Sequence, residues 1–418
     1  MAFLQLSSTN PKFSYILMKN PASGMLVKSN RKGLLFGWYS DPGTYNIHFR
    51  DSNTEVSYSG EDFEYMDATR YNSPMFPINA FTSFMNHMKK ANVEDIAGYE
   101  NTLIFNQMKC KPHNLERFKS NFLDYEFTFE EVAFRNYRIV IKTKNTIREL
   151  INLGQILAIF SSLLNNDLEY VSDDDLEKYM SCLQVIDSPY YIRHLFKCNF
   201  IRTPKVFSKY KVSLETSKRD KLELEFGNNL MQRTAAIRKH LSFKSHIVDI
   251  GCGEGHYVKE FAPKLGDDLE YHAIDTNPEN IEKVKKLCKK NEINDVATWP
   301  SIDEFVCPDN SVILLTEVIE HMSREDAKTF LGKILQWPFK SLIITTPNKA
   351  FNHNYQLEDD DVRNEDHKFE MGKEEFEAFL MRIFMAGPVG KRSVTMFEIG
   401  DIVNGLQPTL AAIVGDLK

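Results

Sequence analysis

The chain has 418 residues, of which 42% are hydrophobic and 26% are charged, and its formal net charge at pH 7 is −7. One hydrophobic core rarely organises a chain of this length, so we expect two domains, and the composition excludes wholesale disorder. The acidic net charge excludes attraction to nucleic acid over the whole surface, so any RNA contact must be local.

The N-terminal segment predicts an antiparallel sheet. Its first residues lack the basic start and long apolar core of a signal peptide, so we expect no export. Apolar runs at Phe13–Met18, Leu34–Tyr39 and Thr44–Phe49 alternate with the turn clusters Asn20-Pro21 and Asp41-Pro42-Gly43. This alternation is typical of short antiparallel strands.

Helical patterns follow the predicted strands. Apolar residues fall at helical spacing over Pro77–Lys90, and Thr146 with Glu149 forms a capping box that begins a helix ending near Leu164. The apolar stretch Leu153–Leu164 is shorter than the roughly 20 residues of a bilayer span, so we expect a buried helix and no membrane contact.

Six scattered cysteines without a C-x-x-C pair predict reduced thiols and a cytoplasmic location.

The middle of the chain predicts a domain boundary. Ser188 and Pro189 predict a helix start, with serine as the cap and proline in the first turn. The lysine-rich stretch Thr203–Asp220 shows little hydrophobic periodicity and predicts a linker. We therefore expect an α+β N-terminal domain over residues 1–215 and a second domain over residues 216–418.

Strands and helices alternate regularly in the C-terminal half. Alternation of this kind predicts an α/β domain with a parallel sheet covered by helices on both faces. The predicted elements are a helix around 230–241, strand 246–250, a helix to about 265, strand 271–274, helix 278–290, strand 311–315, helix 324–336 and strand 341–345.

A glycine-rich turn predicts a cofactor site. The apolar strand 247–250 leads into Gly251, Gly253 and Gly255, where the absence of a Cβ lets the backbone bend tightly and approach a ligand. The D-x-G-x-G spacing that begins at Asp249 differs from the G-x-G-x-x-G dinucleotide fingerprint and favours S-adenosylmethionine. Asp275, at the end of the next strand, is placed to accept hydrogen bonds from ribose hydroxyls.

A second cluster predicts a metal site. Glu317, Glu320 and His321 stand at i, i+3 and i+4 after a predicted strand, so one helical turn would project all three to the same side. Carboxylates and imidazole suit Mg²⁺ or Mn²⁺, and His367 offers a further ligand after a long loop. Taken alone, the cluster is as consistent with a solvated helix start and an ordinary surface histidine. Because the cluster follows a glycine-rich turn that favours S-adenosylmethionine, we favour the metal site.

Four segments of the C-terminal half, in order, resemble the small-RNA 3′-terminal ribose 2′-O-methyltransferase family. Met371 stands where that family usually has tryptophan, which leaves the role of this position open. The four segments are Asp249-Ile-Gly-Cys-Gly-Glu-Gly255, Thr316-Glu-Val-Ile-Glu-His-Met322, Thr345-Thr-Pro-Asn348 with Phe351-Asn352, and Asp366-His-Lys-Phe-Glu370.

The resemblance implies a fold, a reaction and a metal site. It implies a Rossmann-like class I methyltransferase domain with a mostly parallel seven-stranded sheet, and Glu317, Glu320, His321 and His367 as metal ligands. The implied reaction methylates the 2′-hydroxyl of a 3′-terminal ribose of RNA with S-adenosylmethionine, and it requires a free 3′-hydroxyl. Glu317, His321 or His367 would accept the proton, unless metal-bound oxygen needs no dedicated base.

The N-terminal half more faintly resembles the bacterial, RNA-repair branch of the same family. The resemblance rests on Tyr15-Ile-Leu-Met-Lys-Asn-Pro21, Arg70-Tyr-Asn-Ser-Pro74 and Leu168–Lys178, in that order. It implies partnership with a polynucleotide kinase-phosphatase-ligase that the N-terminal domain supports.

Two alternatives remain open at this point. One is methylation of another substrate, such as a small molecule or a protein. The other is an N-terminal domain that acts mainly as a scaffold for a repair ligase. Arg363 and Lys368, beside His367, are as consistent with contacts to the RNA's terminal phosphate as with ordinary surface charge.

Overall fold

The computed structural model describes residues 4–30, 33–51, 74–84, 91–166, 171–357, 361–385 and 392–416. The chain divides into two units, Met1–Asp220 and Lys221–Lys418. The division falls close to the boundary that the sequence predicts after residue 215. Of the segments that suggested the family, residues 70–73 and 168–170 lie outside the described residues.

The first unit contains an antiparallel sheet. Seven strands pair in the order β2-β3-β4-β1-β5-β7-β6, each antiparallel to its neighbours. Along β1, Leu4 and Leu6 alternate with partly exposed residues and reach the core. The strands are β1 Leu4–Ser8, β2 Leu26–Asn30, β3 Gly33–Asp41, β4 Thr44–Asp51, β5 Asn101–Lys109, β6 Glu126–Ala133 and β7 Asn136–Thr143.

Two of the three predicted N-terminal strands are confirmed as β3 and β4, and the first is wrong. Residues Phe13–Ile16 form a short helix, α1. The Asn10 side chain accepts a hydrogen bond from the backbone N–H of Lys12 at 2.8 Å, which turns the chain before α1. Phe13 and Ile16 are the buried residues of α1, so the apolar run has helical rather than alternating spacing.

Six further helices complete the described part of the first unit. The predicted helix over Pro77–Lys90 is present from Met75, and its last residues, 85–90, lie outside the described chain. The helix predicted at Ser188 is also present, but it begins at Tyr190, and the Ser188 side chain makes no cap bond. The helices are α2 Met75–Phe84, α3 Pro112–Lys119, α4 Ile147–Asn165, α5 Asp173–Val185, α6 Tyr190–Phe200 and α7 Pro204–Glu215.

The predicted linker over Thr203–Asp220 is wrong, because α7 occupies most of it. Thr203 caps the helix by accepting the backbone N–H of Val206 at 3.3 Å, and Pro204 stands in the first turn. Phe207, Tyr210 and Leu214 form the buried stripe of this helix. These three apolar residues, at i, i+3 and i+7, are the helical signal that the surrounding lysines obscured.

Helix α4 is the core helix of the first unit. Its composition and length would allow it to cross a membrane, but 78% of the qualifying window is buried inside the protein, as in the core helix of a soluble protein. The predicted capping box is present: the Thr146 hydroxyl accepts the Glu149 N–H at 3.2 Å, and the Glu149 carboxylate accepts the Thr146 N–H at 3.0 Å.

Replacing the cap of α4 is expected to destabilise the first unit. Thr146→Ala leaves the Glu149 N–H without its acceptor and should lower the free energy of unfolding by about 1 kcal/mol. Thr146→Ser keeps the hydroxyl and serves as the control. Urea denaturation followed by circular dichroism measures both, and equal midpoints for the two variants would contradict the assigned role of the cap.

The second unit contains a mostly parallel sheet, as predicted. Its seven strands follow the order β11-β10-β9-β12-β13-β16-β14. The first five strands in this order, β11, β10, β9, β12 and β13, pair in parallel. Strand β16 runs antiparallel to both of its neighbours. Two further strands, β8 and β15, pair with each other in a separate antiparallel sheet. The strands of the unit are β8 Leu222–Glu223, β9 His246–Ile250, β10 Tyr271–Ile274, β11 Val296–Trp299, β12 Ser311–Thr316, β13 Phe339–Pro347, β14 Arg392–Ile399, β15 Ile402–Val403 and β16 Thr409–Asp416.

Helices cover both faces of this sheet. On one face, Val248 and Ile250 pack in a cluster with residues of α11 and α12, and on the other, Ile247 packs with residues of α8, α9 and α10. Strand order reverses between β9 and β12, which opens a crevice at the carboxyl ends of these strands. The helices are α8 Asn229–His240, α9 His256–Phe261, α10 Pro278–Lys290, α11 Arg324–Ile334 and α12 Lys373–Met385.

Candidate active site

The glycine-rich turn connects β9 to α9. Gly251 has φ +73° and Gly253 has φ +55°, a region that side chains with a Cβ rarely adopt. A Cβ on Gly251 would lie 2.5 Å from Cγ2 of Val318, so this position also has no room for one. The backbone of the turn therefore comes close to the segment that follows β12.

A cavity of about 600 Å³ lies at the crevice, a volume in the range of small-molecule sites. Gly251 and Asp275, two of the predicted cofactor residues, line it, together with Glu317 and His321. The remaining lining residues are Ile250, Ile274, Thr276, Ser301, Ile302, Asp303, Val318, Met322, Phe330 and Lys333.

Asp275 links the turn to the second strand. One of its carboxylate oxygens accepts the Gly253 N–H at 2.8 Å, and the other accepts the Asn277 N–H at 2.8 Å. Gly253 is not among the residues that line the cavity, and its N–H bond holds the Asp275 carboxylate. A carboxylate fixed in this way is positioned to accept hydroxyl hydrogen bonds from a ligand.

Asp249, the fourth predicted cofactor residue, lies beneath the turn. Its side chain is fully buried and accepts a hydrogen bond from the Tyr271 hydroxyl at 2.8 Å. Burial raises the pKa of Asp249 to about 7. The structure does not place Asp249 in the cavity wall, so it contributes to the floor that supports the turn.

The segment from Glu317 to His321 is not the helical turn that the sequence predicts. Glu317 has φ +54°, and only Ile319–His321 are helical, in a single 3₁₀ turn. The Glu317 N–H donates to the carbonyl of Thr345 at 2.9 Å, which holds this residue to the sheet before the chain kinks. Because of the kink, Glu317 projects separately from Glu320 and His321.

Three of the four predicted metal ligands come together. One ligating atom each from Glu320, His321 and His367 lies within 4.8 Å of the others. The rings of His321 and His367 meet edge to face, with their centroids 4.9 Å apart. Glu317 is not part of this cluster, although it lines the cavity beside His321.

Glu320 is a buried carboxylate with unused bonding capacity. One of its oxygens accepts the Thr346 hydroxyl at 3.2 Å, and the other is buried without a hydrogen-bond partner among the described residues. Burial, reinforced by the charge of Glu317, raises the pKa of Glu320 to about 8. A divalent cation would satisfy the unpaired oxygen and favour the ionised carboxylate, so this residue fits a metal site.

A buried network orients His367. Glu370 accepts hydrogen bonds from Nδ1 of His367 at 2.6 Å, from the Arg363 backbone N–H at 2.9 Å and from the Asn352 amide at 2.5 Å. Burial alone would raise the pKa of Glu370, but these hydrogen bonds outweigh it and lower the pKa. Since an ionised carboxylate only accepts, Nδ1 of His367 carries the proton and Nε2 keeps its lone pair, which now accepts from Asn364 at 3.2 Å.

Arg363 is part of the same network rather than a surface charge. Its guanidinium donates to Asn352 and to the carbonyls of Pro408 and Asn348 at 2.6 to 2.7 Å. These bonds hold the side chain within the fold, and a contact with an RNA phosphate stays a prediction for this residue. Met371, at the family's usual tryptophan position, is fully buried in the core and is not available for stacking.

Arg233 of α8 is a residue of the site that the sequence did not reveal. Its Nη1 pairs with the Glu317 carboxylate at 3.0 Å, and its Nε donates to the Tyr257 hydroxyl at 3.0 Å. The Arg233 side chain is 13% exposed, and the Glu317 side chain is 24% exposed. Nothing in the local sequence distinguishes Arg233 from the exposed Arg238 on the same helix.

Comparison with known proteins identifies both units. The family model described as the Hen1 N-terminal domain matches residues 3–219, and a methyltransferase domain model matches residues 247–337. A small RNA 2′-O-methyltransferase of Arabidopsis thaliana is 30% identical over 186 residues, 38% of this chain and 19% of the relative. Another, from Caenorhabditis elegans, is 26% identical over 163 residues, 34% of this chain and 37% of the relative.

A solved structure described as the Pnkp1/Rnl/Hen1 RNA repair complex contains a chain similar over nearly the full length. The TM-score is 0.80 at 25% identity, and the match covers 99% of both chains. The curated relatives, by contrast, are matched over less than two-fifths of their own length. Because the Hen1 N-terminal model covers more than half of the residues and a methyltransferase domain follows it, the chain belongs to the Hen1 family, and the resemblance seen in the sequence is confirmed.

Proposed function

We propose that this protein methylates the 2′-hydroxyl of the 3′-terminal ribose of RNA, using S-adenosylmethionine and Mg²⁺ or Mn²⁺. The observation that carries the proposal is the meeting of Glu320, His321 and His367 beside a cavity that His321 also lines. Relatives described as small RNA 2′-O-methyltransferases support the same reaction.

In this proposal the cavity residues bind the cofactor. Gly251 brings the backbone close to the ligand, and Asp275 accepts hydrogen bonds from the cofactor's ribose. Gly253 holds the Asp275 carboxylate through its N–H, and Asp249 lies beneath the turn. Glu317 and His321 line the same cavity, and His321 also belongs to the cation cluster, so the cofactor would bind next to that cluster. Holding both reactants in a fixed orientation supplies much of the rate of such a transfer.

Glu320, His321 and His367 would hold the cation, with Glu317 as a fourth ligand or a proton acceptor. A bound divalent cation would fix the vicinal hydroxyls of the terminal ribose and lower the pKa of the 2′-oxygen. Nε2 of His367 offers a lone pair because Glu370 fixes the proton on Nδ1, and Asp366 pairs with Nδ1 of His321 at 3.1 Å in the same manner. The ion pair with Arg233 would orient Glu317 for either role.

The reaction is tested with single-stranded RNA and labelled S-adenosylmethionine, with and without Mn²⁺. We expect label on RNA that ends in a 3′-hydroxyl, and none on RNA with a 3′-phosphate or a 2′-deoxy end, because both ribose hydroxyls must be free. Periodate treatment of the RNA beforehand should abolish labelling. Labelling that survives periodate, or that is equal on the 3′-phosphate, would exclude the proposed reaction.

The Glu370→Gln variant is expected to weaken Mn²⁺ binding by about ten- to a hundredfold. Three donors converge on the Glu370 carboxylate, and the amide of glutamine would turn an N–H toward one of them. His367 would then lose its fixed orientation. Calorimetric titration of Mn²⁺ measures the affinity, with the exposed Glu365→Gln as a control, and unchanged affinity in the Glu370→Gln chain would contradict the role of this network.

We further propose that the protein acts in the cytoplasm, within an RNA repair system that includes a polynucleotide kinase-phosphatase-ligase. The Hen1 N-terminal domain and the similar chain in an RNA repair complex support this partnership. The alternative, that the first unit mainly supports the ligase, is tested by co-purification. Retention of the partner by a Glu317→Gln variant without methyl transfer would show the scaffold role as separate from catalysis.

A further inference from the structure

A second cluster of metal-ligating side chains lies at the opposite end of the same strands. His246 begins β9, and Glu270 and His272 stand at the start of β10, far from the carboxyl ends where the cavity opens. Tyr271 pairs with Ile247 and His272 with Val248, so Glu270 lies opposite His246. Because alternate residues share a face of a sheet, all three side chains project to the same side.

The three side chains are close enough to share one ion. One ligating atom each from His246, Glu270 and His272 lies within 4.8 Å of the others. Nε2 of His272 is 3.5 Å from a carboxylate oxygen of Glu270, and the ring centroids of the two histidines are 6.1 Å apart. Two imidazoles and one carboxylate form a donor set that zinc uses in proteins.

His272 supplies the second, independent observation. It is 3% exposed, and neither of its ring nitrogens has a hydrogen-bond partner among the described residues. Phe305 and Trp299 pack around it, with ring centroids at 5.2 and 6.5 Å. A buried imidazole without a partner is unfavourable, and a cation would relieve it.

We propose that His246, Glu270 and His272 form a zinc site that joins the first two parallel strands of the second unit and is separate from the cation cluster at Glu320. The exposed side of Glu270 leaves a coordination position for water. Nδ1 of His246 now accepts the Glu270 N–H at 3.1 Å, and a cation that uses this nitrogen displaces that hydrogen bond. The site is therefore weaker than a four-ligand structural zinc site, and its role is to stabilise the strand ends.

Equilibrium dialysis of the full chain against Zn²⁺ tests this site. The variant Glu320→Gln/His367→Ala removes ligands of the other cluster, and we expect it to retain one zinc per chain. Adding His246→Ala to this variant should reduce the bound zinc from one ion per chain to none. Adding Glu270→Gln instead should have the same effect, and it serves if the histidine change disturbs the fold. Adding the exposed His113→Ala to the same variant should leave it at one.

The outcomes separate this site from the proposed reaction. Absence of zinc from the Glu320→Gln/His367→Ala chain, or one zinc retained after both His246→Ala and Glu270→Gln, would overturn the zinc site. His246 and Glu270 lie outside the methyl-transfer machinery, so substitutions there should leave labelling of RNA unchanged. A native chain that binds this zinc but labels no RNA would contradict the proposed function alone.

Discussion

The His367→Ala variant is expected to lose methyl transfer to 3′-hydroxyl RNA by at least about a hundredfold at any Mn²⁺ concentration. In the proposed cation site, the buried Glu370 carboxylate orients the His367 imidazole, and alanine would leave Glu370 without that donor. Glu320→Gln should act in the same direction, because an amide cannot take the negative charge that a bound cation would favour on this carboxylate, one oxygen of which lacks a partner among the described residues.

The exposed His353 provides a matched control for this prediction. It stands in the 3₁₀ segment Lys349–Tyr355, where its Nδ1 lies 2.8 Å from the nearby Ala350 carbonyl oxygen. His353→Ala should therefore transfer methyl groups at the native rate. Binding of S-adenosylmethionine, measured separately, should persist in His367→Ala, because that residue does not line the cofactor cavity. Full activity of His367→Ala would refute the assignment of the cation cluster to the reaction.

The Arg233→Met variant is expected to lower kcat/KM by about ten- to a hundredfold. Methionine keeps much of the side-chain volume but leaves Glu317 without its counter-charge, next to Glu320. Removing one partner of a fully buried ion pair costs about 3 to 5 kcal/mol, and we expect less here because both groups are partly exposed. Arg233→Lys should recover part of the loss, since lysine can pair with Glu317 but does not reproduce the second bond to Tyr257.

Arg238→Met is the control for this change, because Arg238 lies on the same helix and is exposed. Rates measured over a range of S-adenosylmethionine and RNA concentrations separate kcat from KM. Since Glu317 lines the cavity, we expect the cofactor KM to rise and kcat to fall together. Equal losses in Arg233→Met and Arg238→Met would show a general effect of positive charge on RNA binding instead.

The second unit was largely predictable because its signals are local. Strand 246–250, the glycine turn and helix 278–290 each follow from backbone sterics, capping and periodicity within a few residues. Strand β11 was missed, since Val296–Trp299 has only four partly buried residues and no alternation. In the first unit, α1 was misassigned because a short apolar run is consistent with either a strand or a helix, and α7 because its three buried apolar residues stand among polar ones.

Local motifs were enough to select the candidate site residues: the glycine turn, Asp275, two glutamates and two histidines in family order. Their arrangement in space depends on the fold. In the folded chain, the left-handed backbone of Glu317 sets this residue apart from Glu320, Arg233 pairs with Glu317, and Glu370 orients His367. Spacing along the chain reports contacts only within one regular element, whereas these contacts join different elements and depend on how the strands and helices pack.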